Sequence, residues 1–133
     1  MRVELVDIEW LKPHEQIRDR QVKELLKMTL RWDAYTKPML VDESSGTILD
    51  GHHRYTVGIR LGLALLPVIL VDYLGDASIE LDVWPACGID SLTKQQVLDM
   101  AHSSELFPPK TSRHRIAIEL PPISVSLDDL RQS

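Results

Sequence analysis

One short segment of the chain concentrates the residues best suited to chemistry: Ile48-Leu49-Asp50-Gly51-His52-His53-Arg54-Tyr55. The aliphatic residues before Gly51 predict the end of a strand, and the residues after it predict the start of a helix. Glycine at this junction lets the backbone bend sharply and approach a ligand closely. The first N–H groups of a helix have no intrahelical partner, and the helix dipole adds partial positive charge there. The segment therefore predicts an anion site, and phosphate is an anion that such turns commonly bind.

The side chains next to Gly51 fit the same ligand. His52, His53 and Arg54 add hydrogen-bond donors near one point, and an arginine can grip phosphate oxygens with two parallel hydrogen bonds. Asp50 has three open roles, because it could hold Mg²⁺, accept a proton or cap the helix. A plain helix cap explains Asp50 and Gly51 but not the two histidines and the arginine. One metal ion shared by His52 and His53 is disfavoured, because neighbouring helical positions diverge by about 100°.

Three further features are candidates for function. Glu15 follows a loop that Pro13 stiffens, and a positioned carboxylate can accept a hydroxyl proton, although a lone glutamate is ordinarily a surface residue. Two prolines precede a loop that combines two cations, two hydroxyls and an imidazole: Lys110, Thr111, Ser112, Arg113 and His114. Such clusters are often only solvated surface, but the prolines favour a fixed shape. Trp84 ends an alternating segment, where packing is the ordinary role of a tryptophan.

Hydrophobic periodicity predicts the elements that must position these residues. Strands are predicted at 3–8, 39–41, 47–49, 66–73, 79–84 and 115–120. Helices are predicted at about 20–32, 52–61 and 94–102, with Asp19 as an N-cap, Gly62 as a C-cap and Thr93 in a capping box. We expect a single compact α+β domain over residues 1–120, with a mixed β-sheet flanked by helices. Residues 121–133 are expected to form a C-terminal tail that is loosely ordered or packs on a neighbour.

The composition restricts the class of protein. Lys and Arg number 15 against 20 Asp and Glu, which gives a formal net charge of −5. Nucleic acid is disfavoured as the main partner, because avid nucleic-acid binders ordinarily carry a basic surplus or stripe. No apolar stretch approaches the ~20 residues that span a bilayer and no signal peptide is visible, so we expect a cytoplasmic protein without a membrane partner. Cys87 is the single cysteine, which excludes an internal disulfide. A homo-oligomer is left open.

Three motifs together resemble the ParB/sulfiredoxin superfamily: Leu49-Asp50-Gly51-His52-His53-Arg54-Tyr55, the earlier Lys12-Pro13-His14-Glu15, and the later Phe107-Pro108-Pro109-Lys110-Thr111-Ser112-Arg113-His114. The resemblance runs from about residue 3 to about residue 114, and within the superfamily the chain is most similar to the free L-serine kinases. Sulfiredoxins carry a catalytic cysteine where this chain has His52, so their activity is not expected. Chromosome-partitioning ParB proteins have Gly-Glu-Arg-Arg in place of residues 51–54. They add a DNA-binding domain that the residues after Leu120 are not expected to build.

The resemblance implies a role for each cluster. Glu15 would take the proton of the substrate hydroxyl, with Asp50 as its rival or as a ligand of the nucleotide's Mg²⁺. The turn would hold the donor phosphates through Gly51, His52, His53 and Arg54, with His53 also in a catalytic role. The later loop would contact the amino-acid carboxylate and the transferred phosphate through Lys110, Thr111, Ser112, Arg113 and His114. Trp84, in a partly matching Asp82-Val83-Trp84, would lie near the substrate.

The expected function is transfer of a phosphoryl group from ADP or ATP to the hydroxyl of free L-serine, giving O-phosphoserine with Mg²⁺ as cofactor. The main alternative is a nucleotide-binding regulatory module of ParB-like type without turnover. A DNA-binding or nuclease role is a third and less favoured reading. No element that reads adenine or a γ-phosphate is identifiable, so the donor stays open, as does serine against another hydroxylated metabolite. The kinase prediction requires Glu15 and residues 110–114 to converge on the turn; otherwise only the anion site remains.

Overall fold

A computed structural model of the chain describes residues 2–116 and 119–132. Its strands are β1 (Val3–Asp7), β2 (Ala34–Tyr35), β3 (Met39–Asp42), β4 (Ile48–Asp50), β5 (Leu65–Val71), β6 (Glu80–Val83), β7 (Ser112–Arg115) and β8 (Val125–Ser126). Its helices are α1 (Asp19–Trp32), α2 (His52–Leu61), α3 (Lys94–Ala101) and α4 (Leu127–Arg131), with a 3₁₀ turn at Ile8–Trp10. Within these described residues, no helix has the length and apolar character that crossing a membrane requires.

The central sheet is mixed, as predicted. Its strand order is β1-β5-β3-β4, with β3 and β5 parallel and the other two pairs antiparallel. A parallel pair needs a crossover connection, and the segment that contains α2 supplies it between β3 and β5. Because β4 folds back beside β3 as the edge strand, Asp50 and the first residue of α2 lie at one margin of the sheet.

Apolar side chains cover both faces of the sheet. Successive residues of a strand point to opposite faces, so Met39 and Val41 join a buried cluster with residues of α1, α2 and α4. Leu40 points the other way and joins a second cluster with Val97 and Leu98 of α3. All four residues of β3 are buried, as a central strand covered on both faces requires. The site is therefore attached to a strand pair with a packed core on each side.

The predicted helices are confirmed, with one corrected cap. Arg18, and not Asp19, is the N-cap of α1, and it makes no side-chain capping bond. Asp19 is the first helical residue, and its carboxylate pairs instead with Lys23 at 3.1 Å and with Arg60 of α2 at 2.7 Å. The second of these pairs ties the two site helices together. The predicted C-cap of α2 and the predicted capping box of α3 are both present.

Two predictions for the C-terminal third are wrong. The predicted strand at 115–120 begins too late, because Ser112–Arg115 already pair with β6 as β7; residues 117 and 118 of that prediction lie outside the described residues. The last residues are also not a loose tail. β8 pairs with β2, and α4 buries Leu127 and Leu130 in the core. Two leucines in a five-residue helix form too short a pattern for periodicity to reveal.

Candidate active site

The predicted strand-to-helix turn has the geometry of an anion site. Asp50 ends β4, and Gly51 is the N-cap of α2 with a φ of 115°. A Cβ at Gly51 would lie 2.7 Å from Met39 Cγ, so the backbone angle and the packing both require glycine. The bond from Tyr55 N to Gly51 O, 2.9 Å long, is the first of the helical ladder. The earlier N–H groups of α2 therefore remain for a ligand.

Arg54 is a half-buried cation in this turn. Its Nη1 is buried and has no hydrogen-bond partner among the described residues. Burial lowers the pKa of Arg54, and the negative charge of Asp50 and the hydroxyl of Tyr35 act in the opposite direction. Tyr35 also donates its hydroxyl proton to the backbone oxygen of Arg54 at 2.6 Å, which holds this turn of α2. A half-buried cation whose buried nitrogen has no partner is costly until an anion joins it, so the surroundings of Arg54 suit an anionic group.

His53 lies where three cations from separate segments meet. Its ring is half-buried in the cleft, and Nε2 accepts a hydrogen bond from the backbone N of Arg18 at 3.3 Å. Burial lowers the pKa of His53, and the positive charges of Lys110, Arg54 and Arg18 lower it further. The cleft is thus positively charged in a chain whose formal net charge is −5. Such local charge attracts anionic ligands.

His52 turns the Nε2 edge of its ring to the protein, which leaves Nδ1 as its one side-chain donor, and its predicted contact with phosphate stays a prediction. The residue is 8% exposed, and its Nε2 accepts the backbone N–H of His14 at 3.1 Å. The His14 ring stands edge-on to the His52 ring with centroids 4.6 Å apart, and the His114 centroid lies 6.1 Å from that of His14. Burial lowers the pKa of His14 to about 3, that of His114 to about 4 and that of His52 well below its usual value. His52 retains its backbone N–H for an anion.

Asp50 is the carboxylate available for Mg²⁺. It is exposed and lines the cleft at the end of β4. Helix α2 has no side-chain capping bond, so the helix-cap alternative for Asp50 is wrong. In the part of the chain that the structure describes, no group of three or more His, Cys, Asp or Glu residues could hold a metal ion. One carboxylate fits the way Mg²⁺ is commonly held, by one or two carboxylates together with nucleotide phosphates.

Glu15 reaches the cleft on a loop that is paired on both sides. Lys12 forms a parallel bridge with Thr47 just before β4, and Glu15 forms another with Phe107. The loop therefore joins the sheet that carries the turn to the segment that leads into β7. Proline at position 13 removes one backbone donor between these two bridges and fixes φ there.

The Glu15 carboxylate binds directly to the loop that carries the cations. Its Oε1 accepts hydrogen bonds from Thr111 N at 3.0 Å, Ser112 N at 2.8 Å and Ser112 Oγ at 3.1 Å. Burial raises the pKa of Glu15, and these hydrogen bonds act in the opposite direction. Glu15 and the loop at 110–114, which the sequence suggested as separate clusters, are therefore one hydrogen-bonded unit.

Trp84 organises the two cations of this loop. The Lys110 Nζ lies 4.8 Å and the Arg113 Cζ 5.1 Å from the indole centroids, and the indole N–H donates to Ser112 O at 3.1 Å. Arg113 also pairs with Asp82 at 3.1 Å, while its Nε is buried without a partner among the described residues. Lys110 has a φ of 59°, an uncommon value for a residue other than glycine. The loop is thus held in a defined shape next to β6 and β7.

Two members of the loop, Thr111 and His114, have side chains that are hydrogen-bonded within the protein. Thr111 is 1% exposed and donates its hydroxyl proton to Pro108 O at 2.7 Å. The structure therefore contradicts the predicted side-chain contact of Thr111 with substrate; what Thr111 supplies is its backbone N–H to Glu15. His114 shares a 2.7 Å hydrogen bond between its Nε2 and the Tyr73 hydroxyl. It lines the cleft as a buried neutral ring.

The predicted clusters converge on one cleft of about 320 Å³. Its lining includes Glu15, Asp50, Gly51, His52, His53, Arg54, Trp84, Lys110, Ser112, Arg113 and His114. A cleft of this size suits a small ligand. The kinase prediction required Glu15 and residues 110–114 to converge on the turn. The structure meets this requirement.

Five residues of this lining were not among the predicted site residues: Gln16, Arg18, Leu25, Leu49 and Pro109. Gln16 follows Glu15 and Pro109 precedes Lys110, so adjacency to a candidate was the available signal. Arg18 and Leu25 come from the N-terminal half of α1, which reaches the cleft through the contact between Arg18 and His53. No local pattern encodes that contact.

No family model matches the chain. A ParB-like protein of Sulfolobus acidocaldarius is 39% identical over 83 residues, which are 62% of this chain and 41% of that protein. An ATP-dependent L-serine kinase of Staphylothermus marinus is 31% identical over 94 residues, 68% of this chain and 37% of that protein. An ADP-dependent L-serine kinase of Thermococcus kodakarensis is 29% identical over 75 residues, which are 53% of this chain and 31% of that protein. The matches thus cover well under half of these curated relatives.

The whole fold also recurs in solved structures. A variant of a free serine kinase in complex with ADP superposes with a TM-score of 0.88 at 16% identity, covering 98% of this chain and 94% of that one. The chain therefore has a ParB/sulfiredoxin-like fold, as predicted. Within that class, its sequence relatives include L-serine kinases, which confirms the branch that the three motifs indicated.

Proposed function

We propose that the chain is a small-molecule kinase that transfers a phosphoryl group from ADP or ATP to the hydroxyl of free L-serine, giving O-phosphoserine. The observation that carries the proposal is the convergence of the Gly51 turn, the Glu15 carboxylate and the Lys110 and Arg113 cations on one cleft. Phosphoryl transfer needs mainly alignment and stabilisation of charge, which such a combination supplies. The names of the L-serine kinase relatives support both the donor and the acceptor.

The donor phosphates fit the turn. The free N–H groups at the start of α2 and the buried guanidinium of Arg54 provide donors and positive charge at one place. His53 accepts through Nε2, so its neutral ring carries the proton on Nδ1 and has one donor left. Mg²⁺ would be held by Asp50 together with the donor phosphates, and it would supply neutralisation of their charge.

The acceptor fits the opposite wall. Arg113 and Lys110 are positioned over Trp84 and can receive a carboxylate, as an amino acid requires. The three hydrogen bonds to Glu15 all end on Oε1, which leaves Oε2 for the proton of the serine hydroxyl. The raised pKa of Glu15 makes it a better proton acceptor than an exposed glutamate. The hydroxyl oxygen can then attack the terminal phosphorus atom of the nucleotide as its proton passes to Glu15. The bond from that phosphorus to the bridging oxygen breaks, and AMP leaves when ADP is the donor or ADP when ATP is the donor.

Direct assay tests the proposal. Purified protein is incubated with L-serine, Mg²⁺ and either ADP or ATP, and O-phosphoserine is measured by mass spectrometry. We expect product with at least one nucleotide, and a loss of about 10²- to 10⁴-fold in rate for Glu15→Gln. Glu24→Gln, on the exposed face of α1, is the matched control and should keep full rate. Product no higher than in Glu15→Gln with both nucleotides contradicts the proposal.

A nucleotide-binding regulatory module without turnover is the second candidate. One observation favours it: Glu15 Oε1 already holds the Thr111 and Ser112 backbone, which is a structural role for the carboxylate. Calorimetry with ADP and ATP, followed by chromatography of the nucleotide after long incubation with serine, separates the two candidates. Tight binding with unchanged nucleotide selects the module, and consumption of nucleotide with formation of phosphoserine selects the kinase.

A further inference from the structure

We propose that His52 is a positioning residue that holds the Glu15 loop in register with the phosphate turn through the backbone N–H of His14. The Nε2 edge of its ring therefore serves the protein's own backbone, although the residue lies in the middle of the anion motif. The inference rests on the proposed function, because Glu15 is the proton acceptor that would be positioned.

The His52 ring is built into the protein interior. Its Nε2 accepts the His14 N–H at 3.1 Å in a buried contact, and the Thr56 hydroxyl donates to the His52 backbone oxygen at 3.0 Å. An imidazole nitrogen that accepts an N–H must be unprotonated, so the ring proton lies on Nδ1. The geometry therefore assigns one neutral tautomer to His52.

The peptide groups around Glu15 are held at both ends. His14 gives its N–H to His52, and its carbonyl oxygen accepts Phe107 N at 2.8 Å; Gln16 N donates to Phe107 O at 2.7 Å. Phe107 fixes this stretch relative to the later loop. The bond to His52 fixes it at the first residue of α2, between the Lys12–Thr47 bridge on one side and the bond from Arg18 N to His53 on the other.

This bond spans the two parts of the proposed reaction. His52 directly follows Gly51 and moves with the phosphate turn, whereas Glu15 directly follows His14. A hydrogen bond between these neighbours sets the distance from the donor phosphates to the proton acceptor. A displacement of about 1 Å at a reacting group can cost about 100-fold in rate.

The surroundings of His52 oppose a role as a charged phosphate ligand. The rings of His14 and His114 and the side chain of His53 lie close enough to disfavour a positive charge on it, and burial acts in the same direction. The acceptor nitrogen is already occupied by the His14 N–H. The positive charge for a phosphate at this end of α2 therefore comes from Arg54 and from the helix N-terminus, not from a protonated His52 ring.

Two substitutions of His52 test the inference by catalysis. His52→Leu removes the acceptor, whereas His52→Gln keeps one, because its Oε1 can take the place of Nε2. We expect His52→Leu to lower kcat about 10- to 100-fold while the Kd for ADP stays within about threefold, and His52→Gln to recover most of the kcat. Arg54→Met is the matched comparison in the same turn and should show the opposite pattern, a raised Kd for ADP. Equal losses in the two His52 variants overturn the inference, as does a rise in Kd that matches the fall in kcat.

Two spectroscopic readouts do not depend on turnover. Imidazole nitrogen NMR at pH 7 should show His52 as the neutral Nδ1–H tautomer, and a protonated or Nε2–H ring overturns the inference. Hydrogen exchange at the His14 amide should be slow in the unmodified protein and in His52→Gln. It should be faster in His52→Leu. If His52→Leu does not fold, the tautomer and the His52→Gln variant still decide the matter.

The same readouts separate this inference from the proposed function. If the unmodified protein makes no phosphoserine, the kinase proposal fails, and the inference is judged on whether His52 positions the Glu15 carboxylate. His52→Leu should then change the NMR titration of Glu15 and speed amide exchange at Thr111 and Ser112, which donate to it. An unchanged titration with unchanged exchange overturns the inference.

Discussion

The two walls of the cleft are built in different ways. The donor wall, residues 50–54, is the junction of a strand in the four-stranded sheet with a ten-residue helix, and Gly51 packs directly against Met39 of the core. The acceptor wall consists of Trp84 and residues 110–114. It rests on the two-stranded β6–β7 pair and on three hydrogen bonds to one oxygen of Glu15.

This difference predicts unequal rigidity. A junction embedded in the sheet opens only if the core is disturbed, whereas a two-stranded ribbon is marginally stable by itself. Local opening therefore needs less free energy on the acceptor wall. We expect the donor wall to be formed before any ligand binds and the acceptor wall to depend on Glu15. The predictions below test that expectation.

Glu15→Ala should have the largest effect, and its effect on hydrogen exchange should be confined to the acceptor wall. Loss of the proton acceptor lowers kcat about 10³-fold, or about 4 kcal/mol. Loss of the carboxylate also frees the Thr111 and Ser112 amides, so hydrogen exchange should accelerate at 108–114 and stay unchanged at 48–54. The Kd for ADP should change less than about threefold, since the donor wall is intact.

Glu24→Ala, on the exposed face of α1, is the control for this substitution. Faster exchange in both walls after Glu15→Ala would show that they open as one unit, and the proposed difference in rigidity would be wrong.

The histidines between the walls should make stability depend on pH. The folded-state pKa is about 3 for His14, about 4 for His114 and well below 6.5 for His52. In the unfolded chain the pKa of each ring is about 6.5. As the pH falls below this value the unfolded state therefore takes up protons before the folded state does, and the free energy of unfolding decreases. From pH 7.5 to 5.5 the loss is about 1.4 kcal/mol each for His14 and His114, and His52 acts in the same direction.

Urea denaturation at the two pH values measures this loss. Glu15 acts in the opposite direction, because its pKa is raised in the folded state and its protonation at lower pH favours folding. His14→Phe keeps a buried ring and should reduce the loss by about 1.4 kcal/mol. A free energy of unfolding that does not change from pH 7.5 to 5.5 would show that the rings are not buried in neutral form.

The contrast between the walls also explains how much of the site could be predicted. On the donor wall the strand end, the glycine and the helix start are consecutive in sequence, so local pattern and the known chemistry of helix N-termini suffice. The direction of the His52 ring was not predictable in this way. It depends on a partner 38 positions away, and a first-turn histidine can point in or out without changing the local pattern.

The acceptor wall depends almost wholly on distant contacts. Glu15 and Ser112 are 97 positions apart, and the neighbouring Thr111 side chain is buried and donates to Pro108 O. The same limit applies to the C-terminal segment, where Leu127 and Leu130 reach the core only because β8 pairs with β2. Residue types showed which groups could take part; tertiary contacts decide which of them face a ligand.

Arg54→Met should sharpen the comparison by acting on the donor wall alone. Charge-assisted hydrogen bonds to phosphate are worth about 2 kcal/mol, so the Kd for ADP should rise about 30-fold. The unliganded protein should become more stable by about 1 kcal/mol, because a buried nitrogen without a partner is removed. Calorimetry and thermal unfolding measure the two effects.

Arg60→Met is the control on the same helix, since Arg60 pairs with Asp19 outside the lining of the cleft. It should leave the Kd for ADP unchanged. A loss of both affinity and stability in Arg54→Met would mean that the guanidinium supports the fold and is not held ready for an anion.

Trp84→Leu should have the smallest effect, and that effect should be confined to the acceptor wall. The indole holds Lys110 and Arg113 through its face, and each exposed contact of this kind contributes about 0.5–1 kcal/mol. Losing both, about 1–2 kcal/mol, should raise the KM for serine about five- to thirtyfold and leave the Kd for ADP unchanged. Trp84→Phe keeps an aromatic face but lacks the N–H that donates to Ser112, so it separates the ring from that bond. If Trp84→Phe is as impaired as Trp84→Leu, the hydrogen bond to Ser112 shapes this wall; if it is nearly normal, the cations resting on the ring do.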